Sequence, residues 1–161
     1  FAIVHPANAV AEARGVWPAQ GWSALAGVLR ERLRMPVLVS GSAADRAIAE
    51  RIARAGHGVT IAGRTSIGGF GALAARARIF VGITTGSMHV AAATGCPTVG
   101  IFPFQTDTPE RWAPLGARTA VVRASYPCRP GERKETCPDY ACIAHLDVPR
   151  ILATAEALLG S

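Results

Sequence analysis

Residues 79–102 constrain the fold of this chain more than any other stretch. They begin with an apolar run typical of a buried strand, residues 79–82, and continue through a short polar loop into a helix of small residues. A second apolar run, residues 98–102, has the pattern of another buried strand. A strand, a helix and a strand in this order form a βαβ unit, whose strands are parallel and whose crossover is right-handed. The chain is therefore expected to contain a parallel sheet covered by helices.

The polar loop of this unit is the first candidate site, because it lies at the carboxyl end of a strand and the amino end of a helix. It contains Thr84, Thr85, Gly86 and Ser87. Backbone N–H groups and the helix dipole favour an anion such as a diphosphate there. Glycine permits a close approach, hydroxyls add uncharged donors, and His89 is expected to face the same crevice. The alternative is an ordinary loop with a structural histidine.

The rest of the chain alternates between sequence patterns typical of helices and patterns typical of strands. Helical spacing of apolar residues is interrupted by short β-branched runs, with Gly and Pro between them. The predicted strands are residues 2–5, 37–39, 59–61, 79–82, 98–102 and 119–122, and the predicted helices are 19–33, 44–55, 66–77, one from 86 or 87, and 148–159. This order predicts one α/β domain of the Rossmann-like, doubly wound type, with a mainly parallel six-stranded sheet.

Composition and charge narrow the function classes. Of the 161 residues 50% are hydrophobic, and the formal net charge is +6, which favours polyanionic partners such as nucleic acid, an anionic membrane or phosphorylated substrates. Scattered arginines and few aromatic residues argue against nucleic acid, and arginines that only solvate helix faces remain an alternative. No Walker lysine loop, nucleophile elbow or first-strand G-x-G-x-x-G is present, which disfavours kinases, hydrolases and dehydrogenases.

Several segments resemble one family. Residues 84–99 resemble the D-[ST]-G-x-x-H-[LV]-A-A-A-x-G-x-P signature of the family 9 glycosyltransferases, which include the ADP-heptose:lipopolysaccharide heptosyltransferases. Residues 104–114 resemble the family's G-P-T-D-P…W-x-P, while His5-Pro6 and Trp17-Pro18 resemble its H-P-G and K-x-W-P. The resemblance implies that residues 1–161 are a single nucleotide-sugar-binding domain, the C-terminal half of a GT-B fold, from which the N-terminal half is missing. A chain that starts at Phe1 fits such a fragment.

The resemblance also implies site residues on the other loops at the same edge of the sheet. The first loop holds Asn8 and Arg14, and Arg14 would replace the lysine that the family places before Trp-Pro. Asp45 would approach the ribose, although it is equally placed to act as a charge at a helix amino end. Arg64 and Thr65 lie in a segment that resembles G-[KR]-[TM]-S-L, whose backbone lies near the base.

The central loop matches the family with one departure. Thr85, Gly86 and His89 agree with the signature, whereas Thr84 stands where the family has Asp. In the role implied by the resemblance, helix amino ends and Arg64 or Arg14 would stabilise the negative charge that develops on the leaving diphosphate. The general base is expected in the missing half, so no catalytic residue is assigned here, and no cofactor or metal is expected.

The predicted function is therefore that of a donor-binding domain, inactive alone, in a glycosyltransferase of lipopolysaccharide core or related glycan synthesis. The donor would be ADP-heptose or another nucleotide sugar, and the missing half would bind a lipopolysaccharide or glycan acceptor. The alternatives are a non-catalytic nucleotide-binding or assembly domain, and another enzyme of this fold such as an epimerase. The expected location is cytoplasmic, or peripheral at the inner face of the membrane, where Arg129, Arg133 and Lys134 could contact anionic lipid.

The cysteines form the last candidate site. Cys128, Cys137 and Cys142, followed by His145, could supply four zinc ligands, but they lack the paired C-x-x-C of most zinc sites. A disulfide would be disfavoured in the cytosol. Cysteines in this region also occur in the resembling family, which indicates a structural loop without metal. Cys96 is predicted to be buried and inert.

Overall fold

The computed structural model describes residues 1–6, 17–104, 107–129, 131, 137 and 140–160. Its centre is one six-stranded sheet in the order β3-β2-β1-β4-β5-β6, and every pair of neighbouring strands is parallel. This confirms the predicted doubly wound α/β fold. The strands are β1 (Ala2–His5), β2 (Val37–Val39), β3 (Val59–Thr60), β4 (Ile79–Ile83), β5 (Thr98–Phe102) and β6 (Thr119–Arg123).

Helices cover both faces of the sheet. They are α1 (Ala19–Leu33), α2 (Arg46–Ala55), α3 (Ile67–Ala74), α4 (Gly86–Ala93), α5 (Pro109–Trp112), α6 (Ala141–Ala144) and α7 (Val148–Gly160). On one face α1 packs against α2 and α7, and on the other α3 packs against α4. Every residue of β4 and β5 is buried, as expected of parallel strands covered on both sides. No helix in the described part of the chain is long and apolar enough to cross a membrane.

The predicted elements are found with small differences at their ends. Helix α3 begins after Ser66, whose Oγ accepts a hydrogen bond from the Gly69 N–H at 3.1 Å, as the predicted cap requires. It ends at Ala74 rather than at residue 77, and Ala77 is nevertheless buried. The four-residue helices α5 and α6 are absent from the prediction, because they are too short to show a helical period.

The sheet has one topological switch point. The chain leaves β1 toward β2 on one side, whereas β4, on the other side of β1, continues to β5. Opposite crossover directions place the intervening helices on opposite faces and open a crevice beyond the carboxyl ends of the strands, which is where ligands bind in open α/β sheets. The loop from Thr84 to Ser87 follows β4 at this edge, as the sequence predicts.

Candidate functional site

A crevice of about 490 Å³ opens at the switch point, between the first turns of α2, α3 and α4. Its volume falls in the range of small-molecule sites, roughly 300–1,000 Å³. The residues that line it come from the carboxyl ends of β1 and β2 and from the loops that lead into the three helices: His5, Ser40, Gly41, Ser42, Asp45, Thr65, Ser66, Ile67, Phe70, Thr85, Gly86, Ser87 and Val90. The residues that line the crevice are therefore distant from one another in sequence.

The β4–α4 loop supplies one wall. Thr85 has an extended backbone, with φ −149°, and its Oγ1 donates to the Ile83 carbonyl at 3.3 Å. Helix α4 begins at the next residue, Gly86, which is exposed and has no atom within 4 Å of the position a Cβ would take. The first N–H groups of any helix have no acceptor within the helix. Those of Gly86 and Ser87 therefore lie beside open space in the crevice wall.

Asp45 supplies a buried carboxylate. Its side chain is only 7% exposed, and Oδ2 accepts hydrogen bonds from the Ser42 N–H at 2.8 Å and the Ser42 hydroxyl at 2.6 Å. Oδ1 is also buried and has no hydrogen-bond partner within the described residues. Asp45 directly precedes α2, at the amino end where a negative charge was expected, although its side chain makes no capping hydrogen bond to that helix. A buried carboxylate oxygen without a donor is costly, which suits it to accept a hydrogen bond from a ligand.

His5 and Ser40, which the sequence analysis did not assign to a site, form the base of the crevice. His5 Nδ1 lies 2.8 Å from Ser40 Oγ, and the ring packs beside those of Phe70 and Phe80, whose centroids are 6.2 Å and 6.0 Å away. Burial lowers the pKa of His5 to about 4, although the negative charge of Asp45 opposes this. The imidazole is therefore neutral at pH 7. The sequence did contain one indication that His5 and Ser40 belong to the site, because each stands at the carboxyl end of a predicted strand.

An apolar wall faces the polar groups. Ile67, at the start of α3, is 80% exposed, while Phe70 is buried and Val90 half-buried. Behind them, Gly63 has φ +68° and its N–H donates to the Gly41 carbonyl at 2.9 Å, which joins the β3–α3 loop to the β2–α2 loop. The crevice thus combines backbone donors, a carboxylate and an apolar surface.

The predicted site residues divide into three groups. Asp45, Thr65, Thr85, Gly86 and Ser87 line the crevice. Arg64, Thr84 and His89 are not among the described residues that line it, and a role for them in the site stays a prediction. Asn8 and Arg14 fall outside the described residues.

The cysteines contribute nothing to the crevice. Burial raises the pKa of Cys96 to about 11, so that it remains a poorly nucleophilic thiol at neutral pH. Cys137 Sγ accepts a hydrogen bond from the Tyr140 N–H at 3.2 Å, and Cys142 is buried. No three His, Cys, Asp or Glu side chains gather into a metal site in the described ranges. Arg133 and Lys134 of the proposed basic patch are among the residues that the structure does not describe.

The sheet topology and the position of the crevice define a doubly wound α/β domain with a ligand-sized opening at its switch point. The model of glycosyltransferase family 9 (heptosyltransferase) matches residues 1–141 of the chain. The chain therefore belongs to glycosyltransferase family 9.

Comparison with known proteins agrees with this assignment. The chain is 33% identical over 121 residues to lipopolysaccharide heptosyltransferase 1 of Pseudomonas aeruginosa, a match that covers 75% of this chain and 33% of that protein. The solved family 9 glycosyltransferase of Veillonella parvula superposes with a TM-score of 0.79 at 18% identity, over 99% of this chain and 46% of that one. The E. coli heptosyltransferase WaaC with ADP superposes with a TM-score of 0.75 at 21% identity, over 98% of this chain and 44% of that one. The chain thus spans less than half the length of these relatives.

Proposed function

We propose that this chain is the donor-binding domain of a glycosyltransferase and that its crevice binds the nucleotide part of a nucleotide sugar, with ADP-heptose as the expected donor. The observation that carries the proposal is the meeting of three chemically distinct surfaces in one opening: the amino end of α4, the Asp45 carboxylate and the apolar wall beside α3. A nucleoside diphosphate has a matching set of parts, which are a diphosphate, a ribose with hydroxyl donors and a flat apolar base.

The diphosphate is assigned to the amino end of α4. Backbone N–H groups and the helix dipole attract negative charge there, and the hydroxyls of Thr85 and Ser87 add donors. Gly86 leaves room for phosphate oxygens to reach the backbone. Asp45 belongs to the loop after β2, two strands away from β4, and two strand spacings amount to roughly 10 Å. That separation keeps the carboxylate from repelling the phosphates.

The ribose and the base are assigned to the other two surfaces. Asp45 Oδ1 can accept a hydrogen bond from a ribose hydroxyl, which would supply the donor that the oxygen lacks within the described chain. The base would lie against Ile67 and Phe70, where burial of apolar surface stabilises a ring without charge. The E. coli heptosyltransferase with the same fold was solved with ADP, which supports a nucleoside diphosphate as the ligand.

The chemistry that this domain would contribute is electrostatic. When the sugar is transferred, negative charge develops on the leaving diphosphate, and donors already fixed at the amino end of α4 stabilise it. We expect the general base and the acceptor site in the other half of the protein, with this chain as the C-terminal half, so the domain alone binds donor and transfers nothing. The acceptor would be a lipopolysaccharide core or related glycan, handled at the cytoplasmic side of the membrane.

A second candidate function, a nucleotide-binding domain without catalytic activity, is favoured by Thr84. This residue replaces the family's Asp, and its N–H donates to the Ile101 carbonyl at 3.1 Å, so the loop keeps its backbone pairing without the charge. Thr84→Asp distinguishes the candidates. In an intact donor site for a different sugar, the new charge should weaken binding of the nucleotide sugar. In a domain that has lost activity, it should leave ADP binding unchanged or improve it.

The direct test of nucleotide binding is calorimetric titration of the chain with ADP, UDP and GDP. We expect saturable binding of ADP, weaker binding of UDP and GDP, and no sugar transfer from ADP-heptose without the missing half. An absence of binding for all three nucleotides at millimolar concentration would contradict the proposal and favour an assembly role.

A further inference from the structure

A second pocket, of about 520 Å³, opens at the opposite edge of the sheet from the crevice. It is lined by Arg30, Arg34, Met35, Pro36 and His57. Arg30 belongs to the last turns of α1, residues 34–36 connect α1 to β2, and His57 follows α2 before β3 begins. The pocket therefore lies at the amino ends of β2 and β3, far from the residues assigned to the nucleotide.

The pocket is strongly cationic. Two guanidinium groups and one imidazole contribute to its lining, while Met35 and Pro36 add apolar walls. The side chains of Arg30, Arg34 and His57 make no ion pair or hydrogen bond with any residue that the structure describes. Helices α1 and α2 carry acidic residues, Glu31 and Glu50, but neither pairs with these cations. The pocket thus presents donors whose charge is not neutralised within the described chain.

The backbone gives a second, independent indication. Arg34 has φ 50° and His57 has φ 53°, a left-handed conformation that is uncommon outside glycine, although Asn, Asp and His adopt it more often than other residues. Helix α4 shows the common alternative, since it is followed by Gly95 with φ 81°. After α1 and α2, where glycine would remove the strain, the chain instead carries an arginine and a histidine that line one pocket. The two left-handed positions and the pocket therefore coincide.

We propose that this pocket binds a phosphate-bearing anion, either a phosphomonoester or a diphosphate. Guanidinium groups form paired hydrogen bonds with phosphate oxygens, and Arg30, Arg34 and His57 are all exposed, so an anion from solution can reach them. The competing explanation is that Arg34 and His57 only balance the negative ends of the α1 and α2 dipoles. That explanation covers Arg30 as well, which lies in the last turn of α1, but it predicts no site-specific binding.

The test uses inorganic pyrophosphate as the probe and ¹H–¹⁵N NMR of the whole chain as the measurement. We expect saturable shifts of the Arg34, Met35 and His57 amide signals. Arg30→Glu should weaken this binding by at least about tenfold, the usual effect of losing one charged hydrogen bond. Arg51→Glu, at an exposed position of α2 outside the pocket, makes the same change in net charge and should retain the affinity. Neither variant should alter ADP affinity.

Arg34→Gly separates binding from stability. It removes the guanidinium and relieves the left-handed conformation, so pyrophosphate affinity should fall while the melting temperature stays the same or rises. Shifts confined to the Gly86 and Ser87 signals, or equal losses in Arg30→Glu and Arg51→Glu, would overturn the proposal without affecting the proposed nucleotide site. Wild-type affinity in Arg34→Gly would overturn it as well.

Vesicles distinguish the two sources of such an anion. Phosphatidic acid in phosphatidylcholine presents a phosphomonoester on a membrane, and sedimentation with these vesicles that is lost in Arg30→Glu would assign the pocket to a lipid headgroup. Pyrophosphate binding without sedimentation would assign it to a soluble phosphate. Sedimentation that Arg30→Glu leaves unchanged, together with no amide shifts at Arg34, Met35 and His57, would contradict the pocket as a site.

Discussion

Two ionisable side chains, His5 and Asp45, are buried in the wall of the crevice. His5 responds to burial by remaining neutral, and Ser40 satisfies its Nδ1. In Asp45 both oxygens are enclosed, but only Oδ2 receives hydrogen bonds from the described chain. His5 therefore contributes to the packing of the protein itself, whereas Asp45 has an oxygen that can accept a hydrogen bond from a ligand.

We predict that Asp45→Asn weakens ADP binding by about tenfold, because an asparagine whose oxygen keeps the Ser42 hydrogen bonds places its NH2 group, which cannot accept from a ribose hydroxyl, where Oδ1 stood. Asparagine can still accept the hydrogen bonds from Ser42, so the fold should be retained. Calorimetric titration gives the affinity, and Asp147→Asn, an exposed position before α7 with the same change in charge, is the control. Equal ADP affinity in Asp45→Asn and the control would mean that Oδ1 does not contact the nucleotide.

The free energy of unfolding should decrease below neutral pH because of His5. The pKa of His5 is about 4 in the folded chain against about 6.5 when unfolded, so the unfolded chain binds more protons between these values. The stabilisation is fully present above pH 6.5 and is lost as the pH falls to 4, by up to about 3 kcal/mol. Urea unfolding at several pH values measures it.

Two variants isolate this contribution. His5→Phe places an uncharged ring beside Phe70 and Phe80, and the Ser40 hydroxyl can still donate to the Val4 carbonyl at 3.3 Å. Its unfolding free energy should depend less on pH between 6.5 and 4. His145→Asn, at an exposed position, should keep the wild-type dependence. The same pH dependence in all three proteins would contradict the assignment to His5.

At the scale of elements, the first turn of α4 is predicted to be the most sensitive to substitution. Gly86→Val adds a branched side chain where no protein atom lies within 4 Å, so it should obstruct the ligand rather than the fold. We expect ADP affinity to fall by at least about tenfold, more than for Thr85→Ala or His89→Ala. Gly68→Val, in the first turn of α3 and also in open space, should leave affinity unchanged. Equal effects of the two valines would contradict the site.

The junction between the β2–α2 and β3–α3 loops is predicted to be important for stability. A Cβ at Gly63 would lie 2.7 Å from Ala43 Cα, and the residue has φ +68°. Gly63→Ala should therefore destabilise the domain by roughly 1–3 kcal/mol. Gly68→Ala adds a methyl group in open space within α3 and should stabilise it by about 0.5–1 kcal/mol. Chemical denaturation measures both, and a stabilised Gly63→Ala would show that the two loops do not need this contact.

The sequence alone was sufficient to predict the positions of the elements that have strong local patterns. The apolar runs that form β4 and β5 are fully buried and end at polar residues or prolines, so their positions were predictable. Helices α5 and α6 have four residues each and no measurable period. The loops of the crevice were predictable from topology, but the burial of Asp45 Oδ1 without a partner among the described residues depends on tertiary geometry that a linear pattern does not contain.

At the scale of the whole molecule, each face of the sheet has its own apolar core. Trp22, Leu25 and Leu29 of α1 belong to one cluster, and Phe80 and Met88 belong to the other. A domain with packed cores on both faces can hold its loops at the carboxyl edge in fixed positions, although the chain spans only 33% of its Pseudomonas aeruginosa relative. Donor binding is therefore the property to measure in this chain by itself.

Mapping ADP on the chain by ¹H–¹⁵N NMR tests this account most directly. We predict saturable shifts that concentrate on the amides of Ser42, Asp45, Thr65, Gly86 and Ser87, which line the crevice from three separate loops. The signals of Arg34 and His57, at the opposite edge, should move less than these. Shifts centred outside the crevice, or none at millimolar ADP in a folded chain, would contradict the claim that the crevice is a nucleotide site.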